Sequence, residues 1–231
     1  MTATATPPRQ RRPQARPQEL LDAALQLFVE KGYSATRSEQ VAARAGVSKG
    51  TLYLYFQSKE ELFKAVVRSN ISALIAEGQA VADSFDGSSA QLLRLLMQTW
   101  WQRVGDTRAG GICKIVITEA RNFPELARFY VDEVMRPAQR LVRQALARGI
   151  ERGEFRAVPL DEATYALVAP LLFQALYRHS LGRCGLPDSL PSAARLIDTQ
   201  LELLLHGLQP PVAQTPRPPH TPRAASARPQ R

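Results

Sequence analysis

Residues 36–56 read TRSEQVAARAGVSKGTLYLYF and predict two short helices joined by a tight turn. Val41 and Ala42 give the first helix an apolar side, and its small alanines allow a second helix to approach closely. Gly46 predicts the end of that helix, because glycine adopts the left-handed backbone without a steric penalty. Ser48 is the expected N-cap of the next helix, since its hydroxyl can accept a hydrogen bond from a backbone N–H. The pattern therefore predicts a helix-turn-helix.

The second of these helices is expected to present a surface suited to nucleic acid. Leu52 and Phe56, four residues apart, pack inward, so the hydroxyl and phenol groups between them face outward toward phosphates and base edges. Free N–H groups and the helix dipole favour a phosphate at the start of the helix, where Lys49 adds a full charge. The residues assigned to this surface are Ser48, Lys49, Gly50, Thr51, Tyr53 and Tyr55. The major groove of DNA is the partner that these groups predict.

Helical patterns on both sides complete a small domain. Upstream, apolar residues recur at helical spacing, and Gly32 closes that helix. Downstream, Ser58 and Glu61 form a capping-box pattern that opens a long helix with Lys59 at its exposed start. Three helices and the root of a fourth, residues 17–63, are therefore predicted to form a compact DNA-binding domain.

Two runs in this domain carry a family resemblance. AALQLFVEKGYSAT at residues 23–36 and VAARAGVSKGTLYLYFQSKEELF at residues 41–63 resemble the DNA-binding domain of TetR-type bacterial transcriptional regulators. The resemblance implies a homodimer that places one recognition helix from each subunit in successive major grooves of a palindromic operator. It also implies that a small molecule bound to the C-terminal domain releases the DNA, with repression as the family default. FPELARF at residues 123–129 and ALARGIERGEF at residues 145–155 are similar to AcrR-like and AefR-like repressors.

The resemblance also assigns DNA contacts by position. Matched to the family's usual contact sites are Thr36, Arg37, Ser38, Lys49, Gly50, Thr51, Tyr53, Tyr55 and Lys59. Two residues depart from the family pattern. Leu54 stands where several relatives carry an aromatic residue or histidine, and Glu39 places a negative charge near the DNA. The resemblance therefore implies the contact role without implying an operator sequence.

Residues 64–208 are predicted to form a larger helical domain, which brings the expected total to about nine helices. Pro124 should open a long helix, and Pro137 should kink or interrupt it. The last two helices, residues 160–181 and 191–208, carry apolar faces wide enough to predict a four-helix bundle with a second subunit. The residues assigned to this dimer contact are Leu171, Leu172, Leu176, Leu196, Leu201, Leu204 and Leu205.

The effector pocket is expected among the aromatic residues of the same domain. An aromatic lining favours an apolar or aromatic ligand. The alternative for each of these side chains is ordinary core packing. The residues assigned to the pocket are Trp100, Trp101, Phe123, Tyr130, Phe173 and Tyr177, with Phe129 as a further aromatic residue of the domain.

The formal net charge of +9 is concentrated at the two ends of the chain. Residues 1–16 and 209–231 each hold four arginines and no acidic residue, and both are Pro-rich with little apolar content. Such segments cannot bury enough surface to offset their ordering entropy, so both are predicted to be disordered arms. They would add salt-sensitive attraction to DNA, or they would act only as solubilising tails.

Membrane, metal and redox roles are not indicated by the sequence. The longest apolar stretches, such as residues 166–173, fall far short of the roughly 20 residues that cross a bilayer, so a cytoplasmic location is expected. Cys113 and Cys184 lack CxxC and metal-ligand spacing, which predicts two free thiols. His179 lies five residues before Cys184 without a third ligand, so no metal site is assigned.

Two other classes of protein are alternatives to a regulator. An enzyme is disfavoured because no catalytic, nucleotide-binding or cofactor motif is present, and no cofactor is assigned. An architectural protein that coats DNA without reading it is favoured by the basic ends. It is disfavoured by the nearly neutral body and by a single defined reading surface.

Overall fold

The computed structural model describes residues 16–184 and 192–209. All regular elements in these two ranges are helical, and they form nine helices, so the predicted all-α fold is confirmed. Arg16, which the sequence assigned to the N-terminal arm, instead begins the first helix. Residues 1–15 and 210–231 of the two predicted arms lie outside the described residues.

The N-terminal part of the chain contains four helices that pack around one another. They are α1 (Arg16–Lys31), α2 (Ser38–Arg44), α3 (Lys49–Tyr55) and α4, which continues from Lys59–Val67 through a π-helical turn at Arg68–Ser72 into Ala73–Asp83. We call α1 to α3 and the first part of α4 the head.

The remaining five helices form the helical domain. They are α5 (Ser89–Trp100, with a π-helical turn at Trp101–Gly105), α6 (Gly110–Glu119), α7 (Pro124–Tyr130, a π-helical turn at Val131–Met135, then Arg136–Glu151), α8 (Leu160–His179) and α9 (Ala193–Leu208). A short 3-10 turn, Leu181–Arg183, follows α8. Every helix within the described ranges is too short or too polar to span a bilayer.

Local capping sets the helix ends of the head as the sequence predicts. Gly46 follows α2 with φ +68°, a left-handed conformation that glycine adopts freely. The Ser48 hydroxyl accepts a hydrogen bond of 3.0 Å from the N–H of Thr51, and Ser58 accepts one of 3.0 Å from the N–H of Glu61. The two serines therefore fix where α3 and α4 begin.

Two clusters of buried side chains hold the helices together. The first fills the head, where the rings of Phe28 and Phe63 meet edge-on at 5.2 Å, and it continues through Ile112 of α6 into the helical domain. The second lies among α5, α7, α8 and α9. Trp100 packs against both clusters. The head is therefore joined to the helical domain by shared core packing.

The π-helical turns of α4 and α7 lie against each other. Arg68 pairs with Glu133 across them at 2.6 Å. Pro137 removes the N–H that would bond the carbonyl of Glu133 in an α-helix, and the Ser72 hydroxyl donates to that carbonyl at 3.4 Å. The predicted interruption of the helix near Pro137 is confirmed, and it takes the form of a π-helical turn.

Candidate nucleic-acid interface

Helix α3 has one buried side and one exposed side. Leu52 is fully buried in the head and anchors the helix, while Lys49 and Gly50 at its start are exposed. Tyr53 and Tyr55 are 40% and 42% exposed. The structure therefore leaves the predicted lysine, glycine and phenol groups exposed to solvent.

The start of α3 is organised by short polar contacts. The Ser48 and Thr51 hydroxyls lie 2.9 Å apart, and the Thr51 side chain is half-buried. Lys49 Nζ lies 2.5 Å from Glu39 Oε1 and 5.8 Å from the centroid of the Tyr53 ring. The hydrogen bond between them lowers the pKa of the Glu39 carboxyl and raises that of the Lys49 ammonium. Both groups are therefore charged at neutral pH.

Two predicted DNA contacts face the interior of the head. Thr36 is 1% exposed, and its hydroxyl lies 2.7 Å from the carbonyl of Gly32 and 3.2 Å from that of Leu27. Ser38 is also buried. Both side chains therefore have little surface available to a partner, and their contact with DNA stays a prediction. Arg37, between them, is exposed.

Lys59 is engaged within the protein. Its Nζ donates to the carbonyls of Tyr33 and Ser34 at 3.0 and 3.3 Å and lies 4.5 Å from the centroid of the Tyr33 ring. Burial lowers the pKa of its ammonium. Lys59 therefore ties α4 to the turn between α1 and α2, and its contact with DNA remains a prediction.

The same turn touches the helical domain. The Tyr33 ring meets that of Phe123 edge-on at 4.7 Å, and the N–H of Ser34 donates to Glu119 Oε1 at 3.2 Å. Close approach of α6 to α1 requires Gly111, because a Cβ there would lie 2.8 Å from the Val29 side chain. This joint connects the head to the end of α6.

The aromatic residues assigned to the effector pocket differ in their surroundings and exposure. Phe123 belongs to the joint with Tyr33, and the Tyr130 hydroxyl lies 3.3 Å from the buried Cys113 Sγ. Phe173 is 61% exposed. The binding of an effector by these side chains stays a prediction. The assigned residues also include Trp101, which is buried in the second cluster, Tyr177, which is half-buried, and Trp100 between the clusters.

Two grooves occur elsewhere in the helical domain. The larger, about 370 Å³, lies between α7 and α8 and is lined by Arg136, Arg140, Arg143 and Tyr165 among others. The smaller, about 210 Å³, lies between α8 and α9. None of the six assigned aromatic residues lines either groove. The larger groove was not predicted from the sequence. The spacing of Arg136, Arg140 and Arg143, at positions i, i+4 and i+7 of one helix, could have indicated it.

The leucines predicted to form the dimer face differ in how far they are exposed. Leu171, Leu201 and Leu205 are buried in the chain's own second cluster, so they are unavailable to a partner. The half-buried members of the predicted set are Leu172, Leu176, Leu196 and Leu204. The strongly exposed apolar side chains of α8 and α9 are instead Tyr165, Phe173 and Leu203, at 59%, 61% and 70%.

The cysteines and histidines occupy separate places. Cys113 is buried in α6, Cys184 is exposed, and the ring of His179 lies 3.2 Å from the carbonyl of Gly105. Burial raises the pKa of the Cys113 thiol. Across the described ranges, no group of three or more His, Cys, Asp or Glu side chains is arranged to hold a metal ion.

Two exposed residues that the sequence marked only as departures from the family pattern also belong to this surface. Leu54 is 84% exposed on α3, and Glu39 on α2 contacts the lysine at the start of α3. An apolar side chain so exposed can contact the methyl group of thymine in the major groove. The position of Leu54, two residues after the buried Leu52, was the available signal.

Comparison with known proteins bears on both parts of the chain. Residues 20–66 match the family described as bacterial regulatory proteins, tetR family, and residues 83–188 match the one described as tetracyclin repressor-like, C-terminal domain. The HTH-type transcriptional repressor KstR2 of Mycobacterium tuberculosis is 30% identical over 139 residues, which cover 60% of this chain and 68% of KstR2.

Two further relatives differ in what they match. The HTH-type transcriptional activator FasR of Mycolicibacterium smegmatis is 45% identical over 58 residues, covering 25% of this chain and 26% of FasR. The crystal structure of FadR from Bacillus subtilis in complex with stearoyl-CoA has a TM-score of 0.67 at 19% identity, covering 83% of this chain and 99% of FadR. At that identity the likeness to FadR shows the fold alone.

Proposed function

The chain belongs to the TetR family of bacterial regulatory proteins, and on that premise we propose that it is a ligand-responsive repressor that binds a palindromic operator as a homodimer. One observation carries the proposal. Leu52 fixes α3 in the head, so that Lys49, Tyr53, Leu54 and Tyr55 project into solvent from a rigid support. A short helix with this outer surface fits the major groove.

The DNA-contacting residues divide by what each can bind. Arg37 and Lys49 are exposed cations that suit backbone phosphates. Tyr53 and Tyr55 can donate to phosphates or contact base edges, and Leu54 can contact a thymine methyl group. Ser48 and Gly50 allow the backbone at the start of α3 to approach the DNA. In the bacterial cytoplasm, where the chromosome lies, this surface would find its operator.

The proposed dimer uses the exposed apolar side of α8 and α9. Tyr165 and Phe173 lie on one side of α8, and Leu203 on α9 is 70% exposed. Burying these side chains against their copies in a second subunit would remove apolar surface from water and complete a four-helix bundle. The resulting two-fold symmetry would match a palindromic operator.

The proposed effector is an apolar molecule that binds in the helical domain. FadR, whose fold this chain shares, was crystallised with stearoyl-CoA, and the solved structure of KstR2 is described as that of a ketosteroid transcriptional regulator. Trp100, which packs against both core clusters, marks where a ligand could separate them. Movement of α6 would then reach the head through Glu119 and Phe123 at the joint.

Repression is proposed over activation for a specific reason. The activator FasR matches only 58 residues, whereas the repressor KstR2 matches 139 residues, a span too long for the head alone. A head of this type therefore occurs in both activators and repressors, and the longer match to the repressor favours repression.

The architectural alternative has less support, because the outer surface of α3 combines phosphate-binding and base-contacting side chains. The similarity to AefR-like repressors remains a prediction.

A selection from genomic fragments tests the DNA-binding function. The purified protein is mixed with fragmented genomic DNA and excess competitor DNA at physiological salt, and the retained fragments are sequenced. We expect an enriched palindrome, and Tyr53→Ala should weaken its binding by about 1 to 3 kcal/mol. Val81→Ala, on an exposed position at the far end of α4, is the matched control and should bind normally. Recovery of fragments without a shared sequence would support the architectural alternative.

The tryptophans provide a test for the effector. The chain contains two, Trp100 and Trp101, and both lie in the helical domain. Titration with stearoyl-CoA should change their fluorescence and release a bound operator over the same concentration range. A steroid ligand would be tested in parallel. Release without a change in fluorescence would place the effector away from Trp100.

A further inference from the structure

An exposed ion pair lies at the centre of the proposed DNA-binding surface. Glu39 Oε1 on α2 and Lys49 Nζ on α3 are 2.5 Å apart, with side chains 53% and 56% exposed. Arg37, a second exposed cation, also acts electrostatically on Glu39. A carboxylate thus lies between two cations that DNA phosphates would otherwise contact.

The position of the lysine is set by the protein rather than by chance. Ser48 caps α3 immediately before Lys49, and the ring of Tyr53, one turn later, lies below the ammonium at 5.8 Å. Glu39 completes this arrangement from the neighbouring helix. Like a phosphate, a carboxylate offers negatively charged oxygens as strong hydrogen-bond acceptors.

We propose that Glu39 is an intramolecular substitute for a DNA phosphate, and that Lys49 exchanges Glu39 for a phosphate when DNA binds. The inference rests on the proposed function, because it requires that α3 approaches DNA. An exposed ion pair is weak, so a phosphate can displace the carboxylate without a large penalty. Until that exchange occurs, the pair carries no net charge.

The exchange would limit binding to DNA in general. Attraction to arbitrary DNA comes from cations that neutralise phosphates and release condensed counterions. A lysine already neutralised by Glu39 contributes less to that attraction. Operator DNA adds base contacts with the rest of α3, so it would still bind under conditions in which DNA of arbitrary sequence does not.

A second ion pair in the head provides a matched control. Glu30 of α1 and Arg44 at the end of α2 are 2.7 Å apart, with side chains 46% and 36% exposed. Glu30→Gln changes the net charge of the same domain by the same amount as Glu39→Gln. It leaves the pair beside α3 intact.

The test measures how the affinity for a duplex of arbitrary sequence depends on salt. The proteins are the unaltered chain, Glu39→Gln, Glu30→Gln, Lys49→Gln and the double variant Glu39→Gln/Lys49→Gln. We expect Glu39→Gln to steepen the slope of log K against log salt by about 0.9 for each engaged subunit, with Glu30→Gln having a smaller effect. If the two affinities are equal at about 1 M salt, a slope difference of about 0.9 corresponds to roughly eightfold tighter binding per subunit at about 0.1 M salt.

The double variant separates exchange from simple addition of charges. If Lys49 must leave Glu39 to bind DNA, Lys49→Gln should lower the affinity for DNA less in the unaltered chain than in the Glu39→Gln variant. Equal costs in the two backgrounds, or equal slopes for Glu39→Gln and Glu30→Gln, would overturn the exchange. Failure of the unaltered chain to bind any DNA would instead overturn the proposed function.

Discussion

Helices α3 and α8 both present aromatic side chains to solvent, but the sequence determines the outward side in only one of them. α3 has seven residues with a single fully buried anchor, Leu52, and a serine cap at its start. α8 has twenty residues, with apolar side chains around much of its circumference. A short capped helix has one possible inward side, whereas a long apolar helix acquires its inward side from the helices packed against it.

The largest expected effect comes from placing a charge on the buried side of α3 rather than on its exposed side. Leu52→Asp buries an unpaired charge and should lower the free energy of unfolding by about 4 kcal/mol or more. Leu54→Asp, two residues later and 84% exposed, should change it by less than about 0.5 kcal/mol. Denaturant unfolding followed by circular dichroism measures both variants. Similar losses for the two would show that α3 has no fixed inward side.

The next effect tests the same distinction on α8, where the sequence failed to make it. Leu171→Ala leaves a cavity in the second cluster and should cost about 2 to 5 kcal/mol of unfolding free energy. Phe173→Glu, on the exposed side, should leave the helical fold intact and raise the dimer dissociation constant by about 100-fold or more.

Sedimentation velocity at micromolar concentration distinguishes the two outcomes on α8. Leu171→Ala should remain a dimer while it is folded, and Phe173→Glu should be a monomer. A dimeric Phe173→Glu variant would contradict the proposed face on α8 and α9. Leu203→Glu supplies an independent variant on the second helix of that face.

The smallest expected effect concerns the joint between the two regions. Burial, with repulsion from Glu60, raises the pKa of Tyr33 to about 12. In the unfolded chain the phenol ionises near pH 10, so the stability it contributes is full below about pH 10 and is lost as the pH rises toward 12. Between pH 9 and 11 the loss should be about 1 kcal/mol.

Tyr33→Phe isolates this contribution from other groups that titrate at high pH. The variant has no phenol to ionise, so its unfolding free energy should fall less steeply than that of the unaltered chain over the same range. Parallel pH profiles for the two proteins would show that the phenol ionises equally in both states. The joint would then be solvated.

The head was predictable because its signals are local. Gly46, Ser48 and Ser58 each act within a few residues, and the structure shows the positive φ and the hydrogen bonds that they imply. What the sequence did not indicate there is the burial of two polar side chains, Thr36 and Ser38. Their burial depends on how α2 lies against α1, which spacing along the chain does not specify.

In the helical domain, the sequence indicated where helices begin or are interrupted, but it did not indicate which side chains of α8 are buried and which are exposed. Pro124 and Pro137 indicated a helix start and an interruption, and both are present. The partition of α8 into the buried Leu171 and the exposed Phe173 required knowledge of α7 and α9. Pro170 lies within α8 without ending it, since packing on both sides retains the helix.

The π-helical turns of α4 and α7 have a further consequence for how this chain can change length. Each such turn accommodates one more residue than an α-helix would, so removing one residue from Arg68–Ser72 would restore regular α geometry. A deletion within a regular α-helix would instead rotate every side chain beyond it by about 100° around the helix axis. The π-helical turn is thus a point at which α4 can change in length by one residue without turning the reading surface away from its present direction.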